Sequence, residues 1–259
     1  FDSEDEVWKI CIGSYTRQYN MPSLATDGSE DATYVIRGKA TDKASNVEVD
    51  ISSVTFIYDT IKPAFGTVTP EGSAKRRNSD VTFTLSEEIK YPTGIIKFTA
   101  ETSFNTEVSG SSHTYVLDSD ECQNLTEQTK SVSGLIDGNE YTLTIDGTDL
   151  ADNDATTLTY TDIVYDTTEP ESEITSPNKP YYNNLSLITG TAEDPAVGGG
   201  IKSGLATSDA VKIRVIDISS TTYKYWDGDK WISGSSQWLV TSSTNSWQYW
   251  TYDIDVSLE

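Results

Sequence analysis

The chain has 259 residues, with 18 Lys and Arg against 41 Asp and Glu, a formal net charge of −23. Such an excess repels phosphate backbones and anionic membranes, which argues against nucleic-acid binding and favours divalent cations. No apolar run approaches the roughly 20 residues that a membrane helix needs, so no membrane insertion is expected.

The length is natural for two or three domains of about 100–150 residues each. The sequence begins at Phe1 without Met and shows no signal peptide, which reads as a fragment excised from a longer parent. Its two cysteines, Cys11 and Cys122, lie far apart and are expected in different domains, unpaired. An extracellular chain without disulfides points to a prokaryotic surface.

In chain order, the first clear elements lie in "YVIRGKATDKASNVEVDISSVTFIYDTIKP", residues 34–63. Apolar strands flank a polar turn, the pattern of a β-hairpin, and the proline marks strand exit because it cannot donate to a ladder. "DVTFTL" (80–85) then places Val81, Phe83 and Leu85 on one face. The single histidine, His113, sits in the Ser-rich "GSSHTY" and reads as a surface residue. "EYTLTI" (140–145) aligns Tyr141, Leu143 and Ile145, and "AVKIRVI" (210–216) aligns Val211, Ile213 and Val215. "DG" at 137–138, 146–147 and 227–228, and "GGG" at 198–200, separate the runs. No 3.6-residue stripe persists over a dozen residues. The chain is predicted to be all-β, in short strands with frequent turns, hence β-sandwiches.

Internal repetition is the strongest signal. Residues 34–63 align without a gap onto "YTLTIDGTDLADNDATTLTYTDIVYDTTEP", residues 141–170, at an offset of 107. Tyr34, Thr41, Asp42, Ala44 and Asn46 match Tyr141, Thr148, Asp149, Ala151 and Asn153, and the "YDTxxP" tails coincide. These motifs resemble the bacterial Ig-like repeats of large surface proteins and adhesins. Modules of that group end in an "A-x-D-xx-G/A-N" turn and a last strand leading into "DTxxP". Here the turn reads "KATDKASN" and "DGTDLADN", with Ser45 and Asp152 where a glycine is usual. "SDVTFTLSEEI" (79–89) and "SLITGTAEDP" (186–195) resemble the early strands of two varieties of such modules.

The resemblance implies tandem immunoglobulin-like β-sandwich modules in an elongated rod, at 1–61, 62–168 and 169–259. The first reads as a back half and the third as a front half, as though the fragment were cut inside two copies of one module type. An incomplete sandwich exposes strand edges. One outcome is strand complementation between copies, giving a self-assembling fibre; the other, which we favour, is that each half closes its own smaller core.

Candidate sites follow from the same motifs. Calcium takes six to eight oxygens, so the acidic turn "TDLADND" (148–154) offers Asp149, Asp152 and Asp154, and Asp166 and Glu169 at the next linker add oxygens. The spacing is not that of an EF-hand. Asp and Asn also favour turns on their own, and the twin "TDKASNV" keeps only Asp42 and Asn46. Asp149 and Asn153 therefore read as turn structure, while Asp152 and Asp154 carry the calcium reading.

Five of the six tryptophans fall between 226 and 250, and "YWDGDKW" reads as a hairpin around Asp227-Gly228. Trp226, Trp231, Trp238 and Trp247 suit either an aromatic platform for surface glycans or the core of this module, and core packing is the favoured reading. No phosphate loop, Cys/His metal cluster or nucleophile elbow is present, so no enzyme is expected. The expected function is a structural or adhesive stalk of a secreted or cell-surface protein, its partners being neighbouring modules of the parent. A carbohydrate-binding module using the Trp-rich third part is the alternative.

Overall fold

The computed structural model describes residues 32–50, 52–243 and 245–254. Trp8, Cys11 and the rest of the proposed first module before Ala32 lie outside the described residues. The protein is nearly all β, with 44% strand against 3% helix, as the period-2 runs predict.

β1 (Ala32–Gly38) and β2 (Ser52–Tyr58) form an antiparallel two-stranded sheet with Tyr34 opposite Phe56 and Ile36 opposite Val54. Strand alternation puts those four side chains on one face, where Tyr34 and Phe56 stack at 5.5 Å. Ile36 and Val54 remain 50% and 62% exposed, so this face has no cover among the described residues.

The next unit runs through β3 (Phe65–Thr69), β4 (Lys75–Arg76), β5 (Asp80–Leu85), β6 (Ile95–Ala100), β7 (Ser112–Val116), α1 (Ser119–Cys122), β8 (Gln128–Ser131), β9 (Asn139–Asp146) and β10 (Leu158–Tyr165). Its strands form a five-stranded sheet, β4-β10-β9-β6-β7, and a three-stranded sheet, β3-β5-β8. The inward faces of both sheets share one buried core, an arrangement consistent with a β-sandwich. Val81, Phe83 and Leu85 of β5 and Tyr141, Leu143 and Ile145 of β9 all lie in it, which the alternation dictates. The four-residue α1 lies outside what periodicity reveals. Asp118 caps it, accepting from Asp120 N and Glu121 N, while Glu121 reaches back to Asp118 N. The turn brings Cys122 into the core as a free thiol, and burial pushes its pKa up.

The last unit contains β11 (Glu171–Ser176), β12 (Leu187–Glu193), β13 (Lys212–Ile213), β14 (Ile216–Asp217), β15 (Lys224–Trp226), β16 (Trp231–Ser233), β17 (Leu239–Val240) and β18 (Tyr249–Asp253). They form the sheets β11-β12-β18, β13-β17 and β14-β15-β16. A second core gathers Ile188, Val211, Ile213, Trp226, Trp250 and Ile254. This unit thus closes a core of its own, separate from the first.

Candidate functional site

The two copies of the repeated turn have nearly the same geometry. Asp42 Oδ1 accepts from Ala44 N and Asn46 N at 2.8 Å each, and Asp42 Oδ2 from Asn46 Nδ2 at 2.7 Å. Asp149 accepts from Ala151 N, Asn153 N and Asn153 Nδ2, each at 2.8 Å. The Asn46 bonds hold the Asp42 carboxyl below the usual range. Ser45 (φ 69°) and Asp152 (φ 70°) both adopt the left-handed conformation, which glycine adopts most readily. Aspartate tolerates it better than most residues.

Burial separates the copies: the whole 42–46 turn is exposed, whereas Asp149 is 1% exposed. Ile89 bridges to Asp149, and Asn153 Nδ2 donates to the Asp59 carbonyl at 3.2 Å. The second copy thus grips the tail that leaves β2. Carboxylate oxygens of Asp59, Glu87 and Asp149 lie within 4.8 Å of one another there. Neither Asp152 nor Asp154 belongs to this group. Asp152 pairs with Lys90, and Asp154 accepts from the Thr148 hydroxyl at 2.9 Å. The residues that sequence reading missed are Asp59 and Glu87, which are 28 positions apart and meet only through the fold.

Asp166, the tail residue matching Asp59, sits at the following junction. It is 7% exposed and accepts from Ser203 N at 2.6 Å and Thr168 N at 3.1 Å. Ser203 also bonds Asp194 through its hydroxyl, so backbone and hydroxyl donors meet the two carboxylates. Nearby, Ile201 N donates to Gly138 O at 2.7 Å. A Cβ on Gly200 would lie 2.7 Å from both Gly138 O and Phe104 Cε1. The "GGG" run therefore permits close contact between the second and third units as well as a turn.

Asp137 completes this junction, accepting from Thr167 N and the Thr168 hydroxyl at 2.8 Å each. Burial alone would raise its pKa, but those bonds hold it below the ordinary 3.8. A carboxyl depressed by folding stabilises fully above its unfolded value and loses that contribution as pH falls through the folded one. The Thr167 amide shift is expected to titrate with a midpoint below 3.8, and Asp137→Asn to abolish that titration. A midpoint at or above that value would contradict the assignment.

Trp226, Trp231, Trp238 and Trp247 differ in burial and in what they touch. Trp226 is in the core, and Trp231 meets it edge-on at 5.6 Å. Trp247 packs partly buried against the same core. Trp238 is exposed, with the Arg214 guanidinium 4.8 Å from its ring centroid. His113 is more than a surface residue: its Nε2 lies 2.9 Å from Glu107 Oε2, which Tyr141 also bonds. No helix among the described residues is long and apolar enough to cross a membrane. No family model matches the chain, and no curated protein or solved structure is significantly similar to it.

Proposed function

We propose that the chain is a non-catalytic stalk segment of a secreted or cell-surface protein, built of immunoglobulin-like modules in tandem. The observation that supports this reading most is the character of the junctions. A flexible tether would leave its backbone to solvent. Here Asn153 holds the Asp59 carbonyl, and Gly138 and Asp166 accept from Ile201 N and Ser203 N. Junctions bonded in this way transmit orientation from one unit to the next, which is what a spacer requires.

Calcium is the cofactor we assign to this reading, at Asp59, Glu87 and Asp149. An all-oxygen donor set suits a hard cation, although the Asp149 oxygens already serve the turn. A cation there would offset repulsion between the carboxylates and stiffen the junction. A second reading, assembly of copies by strand complementation, is favoured by the Tyr34, Ile36, Val54 and Phe56 face, which has no cover among the described residues.

One small-angle scattering series tests these readings. We expect an elongated particle whose mass does not change with concentration, and a melting temperature that rises with calcium and falls with chelator. Gly200→Val is expected to broaden the distance distribution while both cores still melt as before. A compact particle would overturn the stalk. Mass rising with concentration would favour complementation, and a calcium response unchanged by Glu87→Gln would remove the proposed ion site.

A further inference from the structure

We propose that the cleft at the end of the β11-β12-β18 sheet binds an amine-bearing oligosaccharide of the glucosamine-polymer class. The proposal is independent of the stalk reading, because it concerns one cleft on the third unit.

The cleft, of about 700 Å³, falls in the size range of small-molecule sites. The sheet register defines its floor. Glu171 lies opposite Glu193, and Glu173, Thr191 and Tyr249 form one row across the three strands. Alternation sends Trp250 into the core and leaves neighbouring Tyr249 65% exposed in the cleft. A second depression of about 380 Å³ shares Leu205 and Ser246 with the first and is walled by Trp247.

Trp247 is held there at a conformational cost. It sits at φ 68° after Ser246 at φ 46°, in a turn closed by Gln248 N donating to Asn245 O at 3.0 Å. Both central positions of such a turn favour Gly or Asn, so a tryptophan there is unusual. Trp247 and Leu205 both line the second depression.

Two aromatic side chains in adjoining depressions suit the apolar faces of successive pyranose rings. The carboxylates of Glu171, Glu173 and Glu193 are exposed and make no hydrogen bond or ion pair among the described residues. Their oxygens are therefore available as acceptors for sugar hydroxyls and ammonium groups, and bonds to charged acceptors are the stronger kind. Lys202 is the one basic residue lining the cleft among the described residues, against these glutamates and Asp194. That balance, on a chain of net charge −23, disfavours uronic and sialic acids and favours a cationic sugar. A basic peptide shares the charge, but peptide sites are anchored by apolar pockets, and Leu205 is the only large aliphatic side chain in the lining among the described residues.

The test is calorimetric titration of the full chain with a glucosamine hexamer. Its N-acetylated counterpart, cellohexaose and hexalysine serve as comparison probes. We expect saturable binding of the glucosamine hexamer, at least about tenfold tighter than the N-acetylated one. Tyr249→Ala and Glu173→Gln, both at exposed positions, are each expected to weaken it at least about tenfold with the melting temperature unchanged. Absence of saturable binding overturns the proposal. So does equal binding of hexalysine, which would make a basic peptide the ligand. Binding that survives Tyr249→Ala would place the ligand elsewhere.

Discussion

Gly190→Ala is expected to unfold the third unit well below its normal melting temperature, with the second unit's transition left in place. A Cβ at this position would stand 2.1 Å from Trp250 Cζ2 and 2.2 Å from the Glu173 carbonyl oxygen. Neither neighbour gives way easily. The carbonyl belongs to β11, which is laddered to β12, and the Trp250 indole is 1% exposed and donates to Thr191 O at 3.0 Å. Gly190 is not among the positive-φ glycines, so what it supplies is room and not backbone freedom. Overpacking of a tight core costs roughly 1–3 kcal/mol, and here the clash involves backbone on one side. The matched control is Gly38→Ala, where nothing lies within 4 Å and the change is expected to stay within about 0.5 kcal/mol. Thermal unfolding followed by tryptophan fluorescence reads mainly the third unit, because five of the six tryptophans lie there. A Gly190→Ala transition indistinguishable from the parent would contradict the packing.

Particular residues show how far sequence carries. The period-2 runs at 80–85 and 140–145 become β5 and β9 with their apolar positions inward, because a strand buried on one face leaves no other register. The run at 210–216 is less regular. It yields only the two-residue pieces β13 and β14, although Val211 and Ile213 are still buried. The repeat predicts that Asp42 and Asp149 play one role in the turn, and they do. What it could not predict is burial. That depends on Ile89 and the Asp59 tail approaching one copy, and such contacts are non-local. The acidic group followed the same rule: local density drew attention to Asp152 and Asp154, whereas the fold brings Glu87 and Asp59 to Asp149. The tryptophans were ambiguous for a related reason. An aromatic hairpin looks the same in sequence whether its rings face solvent or, like Trp226, a core.

The twin turns turn that difference in burial into a measurement. Asp149→Ala is expected to destabilise the second unit by about 3 kcal/mol or more, since hydrogen bonds to a charged group are worth about 1.5–3 kcal/mol each and are not additive. Its three donors, Ala151 N, Asn153 N and Asn153 Nδ2, would lose their acceptor at a site from which solvent is nearly excluded. Asp42→Ala removes the same three bonds, but water replaces them at an exposed turn, so its effect on the β1–β2 hairpin is expected to be much smaller. Chemical denaturation of both variants gives the comparison directly. Asp149→Asn separates structure from ion binding: the amide oxygen can still accept from Ala151 N and Asn153 N, though the bond from Asn153 Nδ2 and the charge are lost. If Asp149 serves the turn alone, Asp149→Asn should lie much nearer the parent than Asp149→Ala, with or without calcium. If it also serves a cation, the stabilisation by calcium should vanish in Asp149→Asn even though the turn persists. Equal, small losses in Asp42→Ala and Asp149→Ala would mean that burial does not set the strength of this motif, and would remove the reason for treating the second copy as the junction clamp.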